Sequence, residues 1–121
     1  MTHPVLDLHA NLVRFPSLSH QEEAIADFVE AHARAAGLHV ERLDHNVWAS
    51  LGTGDDLLLL ASHLDVVPPS AEHPYPPFEP TQVDGKIYGR GSVDAKASGA
   101  SMLQALIELK EAGFEPNGRV A

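Results

Sequence analysis

The sequence predicts a layered α/β fold, and three observations support this. Three segments carry apolar residues at helical spacing, and shorter strand-like segments alternate with them along the chain. Residues 57–62, with the sequence LLLLAS, are apolar almost throughout instead of alternating, which is typical of a strand covered on both faces. At 121 residues and 44% hydrophobic, the composition is ordinary for one domain. We therefore expect one sheet with helices on both faces and strand 57–62 at its centre.

Two helices are predicted at the start of the chain. The apolar residues of the first are Val5, Leu8, Leu12 and Phe15. Pro16 ends this helix, because proline lacks the amide hydrogen that would continue it. The second helix is predicted to begin with a capping box, Ser19 followed by Glu22, in which each side chain bonds the backbone amide of the other residue. It ends at Gly37, a residue type that readily adopts the left-handed conformation found after helices.

The middle of the chain is predicted to contain strands and one rigid loop. Residues 38–43 and 47–51 are strand-like and are joined by a turn, and strand 57–62 follows a second turn. Residues 67–80 contain six prolines, so they cannot form a central strand or a helix interior. We expect a stiff surface loop there.

The last third of the chain is predicted to hold a hairpin, a helix and a final strand. Residues 83–88 form the hairpin around Asp84 and Gly85, and the third helix extends from about Lys96 to Ala112. A strand then begins near Arg119. Because that strand has no successor to pack against, we expect residues 1–121 to be the front segment of a larger catalytic domain, without its remaining segment and without a second domain.

Composition narrows the possible partners. The formal net charge is −9 and the sequence pI is about 5.2, which disfavours binding to nucleic acid or to an anionic membrane. There is no cysteine, so a transition metal would be held by nitrogen and oxygen ligands, for which eight histidines are present. With no basic leader and no apolar run of membrane-spanning length, the chain is predicted to be cytoplasmic.

Candidate functional residues lie at the end of the predicted central strand. His63 and Asp65 leave an extended chain on the same side, and ligand-binding residues of α/β sheets gather at the carboxyl ends of strands. An imidazole can bind a metal through one nitrogen while a carboxylate holds the other nitrogen. The alternative is that His63 and Asp65 only pair with each other at a strand end.

A second candidate, Asp94, lies in the segment GRGSVDAK, residues 89–96. The glycines beside Arg90 permit a sharp turn that leads to Asp94 at the entrance of the third helix, where the helix dipole stabilises a carboxylate. Such a group can bind a cation. The alternative is that Asp94 is only the N-cap of that helix.

Three motifs together, HLDVVP, PPFEP in the proline-rich loop and DGKIYGRGSVDAK, make the chain resemble a known family. They are similar to the N-terminal catalytic segment of the co-catalytic zinc aminoacylases, a family that includes acetylornithine deacetylase, succinyl-diaminopimelate desuccinylase, carboxypeptidase G and several dipeptidases. The resemblance covers essentially all 121 residues. One departure is that Ala95 stands where many members have methionine.

The resemblance implies a role for each candidate residue. His63 would bind the first of two zinc ions, and cobalt is a possible substitute for zinc. Asp65 would orient His63 as part of the catalytic machinery, and Asp94 would bridge both ions. A cis peptide bond between Asp94 and Ala95 is also implied.

The implied activity is hydrolysis of the amide bond of N-acyl amino acids or small peptides, by a homodimer when intact, with acetylornithine deacetylase as the first expectation. Desuccinylase or dipeptidase activity is the alternative within the family. The general base and the remaining ligands would lie beyond Ala121, so the 121 residues alone could also be an inert fragment or assembly module. A different metal hydrolase with an independent H-x-D motif is a third reading.

Other polar residues receive no role in the predicted site. Glu22 and Glu23 precede the candidate metal strand and serve the start of the second helix. For Lys96 and Arg90 the sequence predicts no role other than a salt bridge. The remaining histidines are expected to be mostly solvated: His3, His9, His20, His32, His39, His45 and His73.

Overall fold

The computed structural model describes residues 3–121 and has a mixed α/β fold, which confirms the predicted class. The helices are α1 (Pro4–Val13), α2 (Glu23–Ala35) and α3 (Lys96–Glu111). The strands are β1 (His39–Leu43), β2 (Asn46–Thr53), β3 (Leu57–Leu58), β4 (Thr81–Val83), β5 (Lys86–Tyr88) and β6 (Gly118–Val120). One sheet has the strand order β1-β2-β6-β3, and β4 pairs with β5 in a separate hairpin.

The predicted helices and hairpin form because local signals agree with their packing. Pro4 occupies the first turn of α1, where its missing amide hydrogen is not needed. Gly37 follows α2 with a φ of 84°, as expected of a glycine after a helix. At the tip of the β4–β5 hairpin, Asp84 and Gly85 both have positive φ, the conformation that tight two-residue turns require.

The hydrophobic core lies between the helices and one face of the four-stranded sheet. One cluster joins α2, β1 and α3 through Ala33, Leu38, Val40, Leu106 and Ile107. A second cluster joins the three helices through Leu8, Leu12, Ile25 and Ala100. In the part of the chain that the structure describes, α2 and α3 both pack on the face of the sheet that bears Val40. Helices on the opposite face stay a prediction.

The prediction that residues 57–62 form a central, doubly covered strand is wrong. Only Leu57–Leu58 are assigned as β3, which lies at the edge of the sheet, and these side chains are 41% and 60% exposed. The two inner positions belong to β2 and β6, and β6 pairs antiparallel with β2 and parallel with β3. Apolar composition indicates that a segment can be buried, but it does not determine the position of the strand in the sheet.

The predicted capping box is also wrong. Glu22 is the N-cap of α2, but its side chain makes no capping bond to the helix and instead accepts a hydrogen bond from the backbone N–H of His20 at 2.9 Å. His20 has a φ of 71°, so the chain turns sharply just before the helix. Ser19 is thereby directed away from α2, and its hydroxyl binds Asp65.

Candidate metal centre

The chain after β3 brings His63 to the end of the sheet. Leu60 donates its N–H to the carbonyl of Ala121 at 2.7 Å, so the chain stays extended beside β6 beyond the assigned strand. Farther along, Val66 donates its N–H to the carbonyl of Ser17 at 2.8 Å. The segment that contains His63 and Asp65 is therefore held at both ends by backbone hydrogen bonds.

Asp94 reaches the same place through the turn that precedes α3. Gly91 has a φ of 82°, and a Cβ at this position would lie 2.4 Å from Cγ1 of Val66. Only glycine lets the turn come this close to the segment that follows His63. The peptide bond between Asp94 and Ala95 is cis, as the resemblance implies.

The alternative that Asp94 is only the N-cap of α3 is wrong. The N-cap is Ala95, and no side chain makes a capping hydrogen bond at this helix end. Asp94 lies one residue earlier, with its side chain 87% exposed. A carboxylate so placed is free to serve another partner.

The structure brings His63, Asp65 and Asp94 together. Nε2 of His63 lies 3.0 Å from Oδ1 of Asp94. Nδ1 of the same ring lies 3.2 Å from Oδ1 of Asp65 and 3.1 Å from the Asp65 backbone carbonyl oxygen. The imidazole thus has an acceptor at each nitrogen, supplied by two segments that are distant in sequence.

The acidic neighbours change the protonation of the ring and of Asp65. Burial of the ring lowers the pKa of His63, but the hydrogen bond and charge of Asp94, together with those of Asp65, raise that pKa above its usual value. The hydrogen bond from Ser19, assisted by the charge of His63, lowers the pKa of Asp65 against the opposing effect of burial. The raised pKa of His63 and the lowered pKa of Asp65 both favour a positive charge at the imidazole, between the carboxylates of Asp65 and Asp94.

Lys96 and Arg90, to which the sequence assigns no function, support the turn that carries Asp94. Lys96 is 1% exposed, and its ammonium group donates to the carbonyl of Phe15 at 2.8 Å. Burial lowers the pKa of Lys96 to about 8. Nη2 of Arg90 lies 3.2 Å from Nε2 of His73, and the Arg90 backbone N–H donates to Pro77. These bonds tie the turn to the chain just after α1 and to the proline-rich loop.

Sequence reasoning missed two polar contacts around the site. Ser19 donates to Oδ2 of Asp65 at 2.5 Å. His9, expected to be solvated, is 7% exposed, and its Nε2 lies 2.9 Å from the carbonyl oxygen of Ser92 in the Asp94 turn. The helical spacing of α1 does place His9 next to Leu8 and Leu12 on the buried stripe, and this signal could have identified it. No local pattern around Ser19 points to Asp65.

The site borders a cavity of about 250 Å³. Its lining includes His63, Asp65, Arg90, Ser92 and Asp94. Among residues 3–121, no group of three or more histidine, cysteine, aspartate or glutamate side chains is arranged to hold a metal ion. The described residues therefore bring two candidate ligands to a common point, His63 and Asp94.

Comparison with known proteins gives a family match and two close structural matches. The model of peptidase family M20/M25/M40 matches residues 59–121. Human carnosine dipeptidase 1 superposes with a TM-score of 0.84 at 18% identity, covering 97% of this chain and 30% of that one. An M20 family metallo-carboxypeptidase from Sulfolobus solfataricus, Sso-CP2, superposes with a TM-score of 0.81 at 24% identity, covering 98% of this chain and 30% of that one. The chain thus spans about 30% of the length of either solved structure.

None of the helices that the structure describes has the length and apolar character needed to cross a membrane.

Proposed function

Since the chain belongs to peptidase family M20/M25/M40, we propose that it is the front part of a metal-dependent hydrolase that cleaves the amide bond of N-acyl amino acids or small peptides. One observation carries this proposal: Nε2 of His63 and Oδ1 of Asp94 lie 3.0 Å apart on separate segments, while Asp65 contacts the other ring nitrogen. A nitrogen and an oxygen are thus directed at one point on an accessible surface.

These donors fit zinc. Imidazole nitrogen and carboxylate oxygen are usual zinc ligands, and two such atoms on one tetrahedral zinc lie roughly 3.3 Å apart. The observed separation of 3.0 Å needs only a small adjustment. Cobalt accepts the same ligand types, so it is the first substitute to test.

In this proposal, His63 and Asp94 would hold the metal, and the family resemblance implies that Asp94 would be the carboxylate shared by two zinc ions. When bound, such ions supply an activated water near neutral pH and polarise the carbonyl that is attacked. Asp65 contacts Nδ1 of His63 and would so keep Nε2 directed at Asp94 and available to a metal. The general base and the further ligands are proposed to come from parts of the protein outside these 121 residues.

For the substrate we propose N-acetyl amino acids, with acetylornithine as the first compound to test. N-succinyl amino acids and dipeptides are the alternatives. Dipeptides are supported as candidate substrates because one similar structure is named a dipeptidase and the other a metallo-carboxypeptidase. The intact protein is proposed to act as a cytoplasmic homodimer.

The test uses the full-length protein loaded with zinc, assayed on N-acetyl amino acids, N-succinyl amino acids and dipeptides. We expect hydrolysis of at least one class, and His63→Ala should reduce kcat/KM by more than about a hundredfold because it removes a metal ligand. His39→Ala is the matched control, since His39 is exposed on β1 and lies away from the site. A zinc-loaded wild-type protein that hydrolyses none of these compounds would show the proposal to be wrong.

A further inference from the structure

The connection between α1 and α2 passes directly beside the candidate metal centre. We call residues 15–19 the 15–19 connection. Ser17 donates its hydroxyl to the carbonyl of Leu64 at 2.8 Å, and Leu18 forms a parallel bridge with Val66. The connection therefore lies alongside the residues on both sides of Asp65, as a short strand would.

At the end of this connection, Ser19 holds Asp65. The Ser19 hydroxyl donates to Oδ2 of Asp65 at 2.5 Å, while Oδ1 of the same carboxylate lies 3.2 Å from Nδ1 of His63. Each carboxylate oxygen thus has a different partner. Such a carboxylate cannot rotate without breaking a bond, so Ser19 fixes the group that fixes the imidazole.

The start of the same connection holds the Asp94 side of the centre. Phe15 accepts a hydrogen bond at its carbonyl from the ammonium group of Lys96 at 2.8 Å. Lys96 lies two residues after Asp94 and is buried, so this bond is shielded from water. The two halves of the centre, which are 31 residues apart in sequence, are therefore attached to one five-residue segment.

From this arrangement we propose that the 15–19 connection sets the spacing of His63 and Asp94, and that Ser19 is a positioning residue for the metal centre, acting through Asp65. This inference rests on the proposed function, because it assumes that His63 and Asp94 hold a metal. Groups that orient metal ligands typically contribute a factor of 10–100 to metal affinity or activity. Ser19 acts through one intermediate residue, so we expect the lower end of that range.

The experiment compares four full-length proteins: wild type, Ser19→Ala, Ser19→Thr and Ser101→Ala. Zinc affinity is measured by competition with a chromophoric chelator, and kcat and KM are measured on whichever substrate is hydrolysed. Ser19 is exposed, so Ser19→Ala should fold normally. Ser101 is the matched control, because its exposed hydroxyl also makes one hydrogen bond, to the carbonyl of Ala97 on the surface of α3.

We expect Ser19→Ala to weaken zinc binding by about tenfold and to lower kcat more than it raises KM. Ser19→Thr keeps the hydroxyl and should restore both values to within about threefold, and Ser101→Ala should match wild type.

Zinc affinity and turnover separate the positioning role of Ser19 from the proposed hydrolase activity. Zinc affinity in Ser19→Ala within twofold of wild type would overturn the positioning role even if the enzyme is active. If zinc binds but no substrate is hydrolysed, the proposed reaction is wrong, and the positioning role is decided by zinc affinity alone. A wild-type protein that takes up no zinc would overturn both.

Discussion

His63 cannot satisfy both of its neighbours as a neutral side chain. A neutral imidazole carries one N–H, yet Asp65 lies at one ring nitrogen and Asp94 at the other. The second contact requires either another proton or a cation between Nε2 and Asp94. The side chain of Asp94 is 87% exposed, so a metal ion could reach this position from solvent.

At the residue scale, the sequence could identify the charged groups but not all their partners. The H-x-D spacing and the GRG turn point to His63, Asp65 and Asp94 without a structure. The bonds of Ser19 to Asp65 and of Lys96 to Phe15 join residues 46 and 81 positions apart, and neither has a periodic signal. Such contacts depend on how the elements pack, which single-residue chemistry does not specify.

Lys96 leads to a prediction about stability. Lys96→Ala should destabilise the protein by about 2–4 kcal/mol, because it leaves a cavity and removes the ammonium group that donates to the partly buried carbonyl of Phe15. Lys96→Met should destabilise less, since it retains most of the packed side-chain volume. Chemical denaturation of the full-length protein measures both. Lys110→Ala, at an exposed lysine of the same helix, is the control and should stay within about 0.5 kcal/mol of wild type. Equal stabilities for Lys96→Ala and Lys110→Ala would contradict the structural role.

At the element scale, the turn that carries Asp94 depends on one glycine. Gly91→Ala places a Cβ 2.4 Å from the buried, β-branched Val66, which has little room to move. Gly113→Ala is a matched control, because Gly113 has a similar positive φ of 72° but nothing within 4 Å of a Cβ. We expect a loss of about 1–2 kcal/mol for Gly113→Ala from backbone strain alone, and a larger loss for Gly91→Ala.

The same pair of variants separates stability from metal binding. Gly91→Ala moves the turn relative to Val66, so it should also reduce zinc affinity, whereas Gly113→Ala lies at the far end of α3 and should not. Thermal unfolding and zinc titration of the full-length variants check both effects. Identical behaviour of the two variants would mean that the close approach of turn and strand segment has no importance for the site.

Helices were easier to predict than strands in this chain for a physical reason. The bounds of α1, α2 and α3 follow from a 3.6-residue period and from chain-breaking proline and glycine, which are local properties. The position of β3 is not local, because it depends on β6, about sixty residues later. The capping-box prediction is wrong for a non-local reason as well. The hydroxyl of Ser19 donates to the carboxylate of Asp65, and a hydrogen bond to a charged acceptor is stronger than one to a neutral group.

At the scale of the whole molecule, the candidate centre is a junction of distant segments. It joins the chain after β3, the turn before α3 and the 15–19 connection. In the chain that leads to it, four leucines are 38–60% exposed: Leu57, Leu58, Leu59 and Leu60. A run of exposed leucines at a sheet edge is typical of a surface that another part of a protein covers. This agrees with the proposal that the 121 residues are the front part of a larger catalytic domain.

This proposal can be tested on the 121-residue chain itself. Because the described residues bring only His63 and Asp94 to one point, the chain should bind zinc much more weakly than the full-length protein, and it should show no turnover on any substrate. Isothermal titration calorimetry of both proteins measures the difference, with circular dichroism to establish that the short chain is folded. His63→Ala in the short chain is the control and should abolish even the weak binding. Tight stoichiometric zinc binding by a folded 121-residue chain would mean that these residues contain a complete centre, and the proposed need for ligands from elsewhere in the protein would be wrong.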